Sequence, residues 1–189
     1  MSFQKFIDNH QKVPVVHFDN IVTKKPTVSI TVNAYEHENY IAECINSILL
    51  QKVDFEYEIL ISEDDSQDNT RKICIDYAKN YPNKIRLLLH NRINNFKING
   101  QETGRFSAIY NYNVSKGKYI AHCDGDDYWM DPYKLQKQVD FMENNKEYCL
   151  CASRYKIIDE NSKIVGEGPT INPLIFDPES KLSDMFRSY

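Results

Sequence analysis

Apolar and polar positions alternate along this chain in blocks that change period. Val28 to Asn33 (VSITVN) is a β-branched run of strand type. Ile41, Cys44, Ile45, Ile48 and Leu49 then recur at helical spacing, with Asn39 as the expected N-cap. Tyr57 to Ser62 (YEILIS) predicts a second buried strand. Asp68 is placed to cap the next helix, whose inner face carries Ile73, Cys74, Tyr77 and Ala78 and which stops at Tyr81-Pro82. Ile85 to His90 predicts a third strand. The stretch Asn91 to Gly104 is polar and rich in Asn and Gly, so it reads as a long loop. Phe106, Ile109, Tyr110, Asn113 and Val114 predict a helix stopped at Gly117. Tyr119 to Cys123 predicts a buried fourth strand. Asp131-Pro132 opens a helix with Leu135, Val139 and Met142 on one face. Beyond it, YCLCAS and YKIID read as strands, and IDENSKIV as a hairpin turning at Glu160, Asn161 and Ser162.

Strands alternating with helices predict an α/β fold: a Rossmann-like, mostly parallel sheet with helices on both faces. In such sheets ligands bind beyond the carboxyl ends of the strands. The loops Asn33–Glu38, Glu63–Asp68 and Asp124–Asp127 would open on that one edge, and the last two are carboxylate clusters. Residues 1–26 carry Pro14 and Pro26, which argue against one helix, and form an N-terminal extension that either packs or hangs loose.

Composition changes little in this picture. A 189-residue chain with 41% hydrophobic and 26% charged residues is an ordinary globular protein. Net charge of −4 argues against nucleic acid as a partner. No run is long enough to span a membrane, and MSFQKFIDNHQK lacks a signal-peptide core. Five cysteines without a C-x-x-C pair suit a reduced, cytoplasmic protein, with Cys149 and Cys151 read as small buried residues on one strand face.

The chemistry centres on AHCDGDDYW, Ala121 to Trp129. Asp124, Asp126 and Asp127 arrive together at a strand end, and Gly125 lets the backbone turn among them. Crowded carboxylates repel unless a cation lies between them. Mg2+-type ions bind through one or two carboxylates and take their remaining ligands from phosphates and water. An isolated D-G-D is as readily a solvated acidic loop. The missing G-x-G-x-x-G and G-x-x-x-x-G-K-[ST] exclude the standard dinucleotide and P-loop sites, so a metal would take over the work on a diphosphate. Of the remaining groups, His122 reads as a core histidine, and His37 and His90 as solvated loop residues. Asp54, Glu56 and Glu58 read as surface charge, and Tyr128 and Trp129 as buried anchors below the acidic loop.

The stretches VSITVNAYEHENYIAECINSILLQ, YEILISEDDSQDNT and SKGKYIAHCDGDDYWMDPYKLQKQVDF, in this order, resemble the inverting family 2 glycosyltransferases of GT-A fold, over roughly Thr27 to Asp159. Within that family the chain is similar to the subgroup with a G-D-D-Y-W form of the D-x-D motif. The resemblance implies a nucleotide-sugar-binding domain over 27–165 and the start of an acceptor-side segment, expected to be truncated, over 166–189. It implies transfer of a sugar from a nucleoside-diphosphate sugar, UDP-sugar first, to a saccharide or lipid-linked acceptor with inversion, assisted by Mn2+ or Mg2+. Polysaccharide or cell-envelope synthesis at the cytoplasmic face of a membrane is the setting this suggests, with peripheral membrane association and no integral membrane segment.

Carried onto these residues, the resemblance implies that Asn33, Tyr35 and Glu36 line the nucleoside pocket and that Asp64 holds the base through a ring N–H. It implies that Arg105 approaches the nucleotide and that Asp124, Gly125 and Asp126 form the D-x-D, with Asp126 on the metal and Asp124 nearer the ribose. Departures exist. Tyr35-Glu36 stands where many relatives have Y-N. Asp68-Asn69-Thr70 replaces D-G-T, with Asn69 tolerating a left-handed backbone. No general base is identified, and Asp177, Glu179 and Asp184 lie in segments that read as a turn and a helix start. A non-catalytic nucleotide-sugar-binding module is the alternative. A phosphoryl-accepting domain lacks its acidic pair at Asn33-Ala34-Tyr35, and a nucleotidyltransferase lacks its Gly- and Arg-rich loop.

Overall fold

The structure is a computed structural model and describes residues 2–22, 25–160 and 163–168. It divides into two units, Met1–Lys134 and Leu135–Tyr189.

The first unit is built on a five-stranded sheet of order β1-β4-β3-β2-β7. Its strands are β1 (Val16–His17), β2 (Val28–Ala34), β3 (Tyr57–Glu63), β4 (Ile85–Leu89) and β7 (Tyr119–Asp124). All pairs are parallel except β1 with β4. The chain steps outward from β2 to β3 to β4, then crosses back to lay β7 on the other side of β2. The order therefore reverses between β2 and β7. Right-handed crossovers put α2 (Ile41–Leu49) and α3 (Thr70–Asn80) on one face and α4 (Arg105–Val114) on the other.

Burial follows from this layering. β2 and β3 are covered on both faces and are buried almost throughout, as their continuous apolar runs require. Leu60 and Leu88 face α4, where they form one core cluster with Phe106, Tyr110 and Phe6. Alternation sends Ile59, Ile61 and Leu87 to the opposite face. Among the described residues strand β7 ends the sheet and is not the buried strand expected: Ile120, His122 and Asp124 are exposed and only Cys123 is buried.

The N-terminal residues are packed. Helix α1 (Phe3–His10) is capped by the Ser2 hydroxyl, which accepts from the Lys5 N–H. Phe6 stacks on Phe106 at 5.2 Å between ring centroids, and Phe3 meets Tyr110 edge-on at 5.4 Å. Between β4 and α4 the expected loop contains a short 3-10 turn (Arg92–Asn94) and a two-residue hairpin, β5 (Lys97–Ile98) with β6 (Gln101–Glu102). Asn99 and Gly100 both take positive φ (52° and 79°), the conformation that a tight Asn-Gly hairpin turn requires.

Several local expectations are corrected. The N-cap of α2 is Tyr40, not Asn39, and the His37 carbonyl accepts from both Tyr40 and Ile41 N–H groups. Helix α3 starts behind Asn69, whose φ of −77° is not left-handed. The Asp68 carboxylate still accepts from the Thr70 N–H at 2.9 Å. Helix α4 ends at Val114 rather than at Gly117. Glu58 is fully buried instead of being surface charge. Its carboxylate accepts from the Ser29 hydroxyl at 2.6 Å, the Arg86 guanidinium at 2.9 Å and the Lys116 N–H at 3.0 Å. This network closes the amino-terminal edge of the sheet, and Gly117 is required there: a Cβ would lie 2.4 Å from the Ser29 nitrogen.

The second unit carries α5 (Lys134–Asn144) from Leu135 onward, and a hairpin of β8 (Lys156–Ile158) with β9 (Ile164–Glu167). The hairpin is the one expected, although residues 161 and 162 of its turn lie outside the described residues. YCLCAS is not a strand. Cys149 is exposed and Cys151 half-buried, so no strand face buries them. The FDPES and KLSDMF segments, with Asp177, Glu179 and Asp184, lie outside the described residues.

Candidate functional site

At the reversal point, Asn33 at the end of β2 and Asp124 at the end of β7 are register partners. The crevice between two such strand ends is where an open α/β sheet receives its ligands. The backbone closes over it through the Gly125 N–H, which donates to the Asn33 carbonyl at 2.9 Å. A turn follows in which the Asp127 N–H donates to the Asp124 carbonyl at 3.0 Å. Gly125 has a packing reason: a Cβ would meet His37 Nδ1 at 2.7 Å and the Asn33 carbonyl oxygen at 2.8 Å. What a side chain at 125 would strike is thus protein, including the side chain of Ile41 at 3.1 Å.

Each end of the D-x-D has a histidine beside it. His122 Nε2 lies 3.0 Å from an Asp124 oxygen, and its Nδ1 lies 3.1 Å from the Thr31 hydroxyl. His37 Nε2 lies 4.0 Å from Asp126 Oδ2. His122 is therefore an exposed edge-strand residue and not a core histidine, while His37 is half-buried against the acidic turn and not freely solvated. The His122 hydrogen bond holds the Asp124 carboxyl below the usual range, with further help from the His122 and His37 charges and from Asn33. Asp127 is pushed up by burial and by the neighbouring Asp126 and Asp124. Asp124 and Asp126 keep about half of their side chains in solvent (53% and 54%), so both are open to a cation.

The second wall is Asp64, which follows β3 and is 3% exposed. Its Oδ2 accepts from Arg92 at 3.0 Å and from the Asn95 amide at 2.7 Å. Its Oδ1 is buried with no hydrogen-bond partner among the described residues. Burial raises its pKa to about 6, against the lowering effects of Asn95 and Arg92. The Arg92 guanidinium also lies over the Tyr35 ring, 3.6 Å from its centroid. Tyr35, Asp64 and Arg92 thus form one wall of aromatic, acid and cation.

The structure places Asn33, Asp124, Gly125 and Asp126 together, and Tyr35 meets Asp64 through Arg92. Arg105 is an exposed side chain at the start of α4. The sequence reading missed Arg92 and Asn95. The available signal was their position: both follow β4, on the same strand edge as the acidic loops.

The first loop is held from the second. The N–H groups of Glu36, His37 and Glu38 donate in succession to the hydroxyls of Ser66 (3.0 Å) and Thr70 (2.7 Å) and to the Asp68 carboxylate (3.0 Å). Glu38 returns the contact by accepting from the Asn69 N–H and side-chain amide. Glu63, fully buried, accepts from the Ser66 N–H and pairs with Arg71. The EDDSQDNT segment is thus largely scaffold, with Asp64 as its member turned to the crevice wall. His90 belongs to this scaffold too. It is buried against Phe106 and Tyr110 and bonded to the Ser62 hydroxyl, and burial takes its pKa down to about 3.

Tyr128 and Trp129 are half-buried rather than buried. The Trp129 N–H donates to the Ser47 hydroxyl, and Lys134 lies 4.2 Å from the Trp129 ring centroid. Gln51 and the Lys52 N–H hold the carbonyls of Asp131 and Pro132, so the segment after the acidic turn is clamped to the end of α2.

Comparison with known proteins agrees with this architecture. A family model described as "Glycosyl transferase family 2" matches residues 29–184. The chain is 34% identical over 137 residues to the putative glycosyltransferase EpsE of Bacillus subtilis, covering 71% of this chain and 45% of that protein. It is 33% identical over 141 residues to the UDP-Glc:alpha-D-GlcNAc-diphosphoundecaprenol beta-1,3-glucosyltransferase WfgD of Escherichia coli, covering 74% of this chain and 49% of that one. It therefore spans less than half the length of these curated relatives. Among solved structures, the mannosyltransferase PcManGT of Pyrobaculum calidifontis, in complex with GDP-Man and Mn2+, superposes with a TM-score of 0.50. The two are 18% identical, over 74% of this chain and 39% of that one, and the likeness is one of fold.

Proposed function

The chain belongs to glycosyl transferase family 2, and from that premise we propose that it forms the donor side of an inverting glycosyltransferase that takes a UDP-sugar with Mn2+ or Mg2+. The acceptor in this reading is a saccharide or a lipid-linked sugar at the cytoplasmic face of a membrane. Among the described residues, no helix is long and apolar enough to cross a membrane. The observation that carries the donor reading is the pairing of two unlike acidic walls on one strand edge. One wall is the open Asp124–Asp126 turn, and the other is the buried Asp64 with an unused oxygen.

The walls suit different parts of the donor. Asp64 Oδ1 is a buried acceptor and needs a donor, which the uracil ring N–H supplies. Arg92 beside it can donate to a base carbonyl while Tyr35 offers an aromatic face. Asn33 and Asp124 reach the ribose side, and Glu36 and Arg105 complete the proposed set.

For the cation, the donor chemistry fits. Asp124 and Asp126 are hard oxygen ligands on one turn, and no group of three or more His, Cys, Asp or Glu side chains among the described residues is arranged to cage a metal. An ion held by one or two carboxylates and completed by diphosphate and water matches that donor set. When bound, it neutralises charge on the departing diphosphate. His122 fixes the Asp124 carboxylate, and the Asn33 carbonyl fixes the Gly125 backbone, so the ligands are aimed before substrate arrives. Transfer would be a single displacement at the anomeric carbon by an acceptor hydroxyl.

Calorimetric titration of UDP, GDP and dTDP with and without Mn2+ tests the reading. The expected result is metal-dependent binding of UDP that Asp126→Ala abolishes. Absence of binding by the unaltered chain under every condition would overturn it, and retained anomeric configuration in the product would overturn inversion.

A further inference from the structure

The strip Arg92–Phe96 faces two ways. Arg92 and Asn95 turn to Asp64. Asn94 and Phe96 turn to the N-terminal residues. Asn94, 2% exposed, accepts from the N–H groups of Lys12 (2.7 Å) and Val13 (2.9 Å) through one oxygen and donates to the Val13 carbonyl at 2.8 Å. Phe96 receives His10 edge-on at 4.5 Å and Phe6 at 6.1 Å between ring centroids. Helix α1 is anchored in turn by Phe6 against Phe106 and Phe3 against Tyr110. A short strip outside regular structure, apart from one 3-10 turn, has little stiffness of its own, so its position is set by what it is bonded to on each side.

We propose that Asn94 is a positioning residue for the nucleotide base, through which the N-terminal segment Phe3–Val13 holds Arg92 and Asn95 against Asp64. This rests on the donor reading above and extends the site to residues that touch no substrate. Without the N-terminal clamp, Arg92 and Asn95 must be ordered at the moment of binding, and the affinity due to the base falls by that ordering cost. The part of the ligand that lies at Asp124 and Asp126 is unaffected, because that turn is held by Asn33, His122 and the end of α2.

The test compares UDP with ribose 5-diphosphate, which lacks the base, by calorimetry in Mn2+ on the full chain. The unaltered protein is expected to bind UDP more tightly. Asn94→Ala should weaken UDP by about tenfold and leave ribose 5-diphosphate within about twofold. His10→Ala, which removes ring contacts to Phe96 and Phe6 and no hydrogen bond to Asn94, should shift UDP in the same direction by less, and it carries the test if Asn94→Ala fails to fold. Equal loss of both ligands, or no loss of UDP in either variant, overturns the positioning role. Equal affinity of the unaltered protein for the two ligands overturns the donor reading itself, and the inference with it.

Discussion

Arg92 sits over the Tyr35 ring while its guanidinium donates to the buried carboxylate of Asp64, joining the loops after β2, β3 and β4 in one wall. The three loops come from strands that are neighbours in the sheet, so a ligand against this wall is read by all of them at once.

Asp64 makes this wall sensitive to pH. Its folded pKa, raised to about 6 by burial, exceeds its ordinary value, so between roughly pH 4 and 6 the folded chain holds a proton that the unfolded chain has released. Stability therefore falls as pH rises through that window. Asp64→Asn should stabilise the protein at pH 7.5, by on the order of 2–3 kcal/mol at most, and have little effect at pH 4.5. Denaturant melts at the two pH values check this. In the unaltered protein UDP affinity should decline below about pH 6, because a protonated carboxyl is a poorer acceptor for the base N–H.

Removing the cation next to that carboxylate strengthens the same effect. Arg92→Ala should move the pH midpoint of UDP binding upward and weaken UDP at pH 7.5 by about tenfold or more, in line with loss of a hydrogen bond to a charged group. A pH series of titrations measures both. An unchanged midpoint would show that Arg92 does not set the charge of Asp64.

Gly125→Ala should cost about 1–3 kcal/mol, the usual penalty for overpacking. The new methyl group has the Asn33 carbonyl and the His37 ring within 3 Å and Ile41 behind them. Because the displaced atoms also hold the acidic turn, Mn2+-dependent UDP binding should fall further than the loss of fold explains, read as affinity per folded molecule.

At the other edge of the sheet, Glu58→Ala should destabilise by about 3–5 kcal/mol by leaving Arg86 buried and uncompensated. Glu58→Leu combined with Arg86→Met should cost less than that single change. Denaturant midpoints of the set give the coupling. UDP affinity of the folded fraction should stay within about twofold, since this network lies at the amino ends of the strands.

Much of the fold was legible because long elements repeat their pattern. Strands β2, β3, β4 and β7 and helices α2, α3 and α4 fall close to where the hydrophobic period puts them. What failed was burial of polar groups. Glu58 reads as surface charge because a carboxylate bonded to Arg86 across the sheet looks like a solvated one along the chain. His90 looked exposed because its apolar neighbours, Phe106 and Tyr110, come from a later helix. The two-residue strand β1 is too short for any period, and its place is fixed only by β4. At the site, the D-x-D and Asp64 stand out as acidic clusters, whereas Arg92 and Asn95 sit in a polar loop in which every second residue looks equally soluble.

The tether between the first two loops also decides where this site is free to change. Ser66, Thr70 and Asp68 grip main-chain N–H groups only, so the side chain at position 36 is left outside the grip, exposed, on a backbone with φ of 55°. Asparagine or glycine suits that backbone better than glutamate, by about 1 kcal/mol. Position 36 is thus an adjustable setting mounted on a fixed bracket. In the proposed donor site, its chemistry can shift the nucleotide preference while the scaffold that presents it stays as it is.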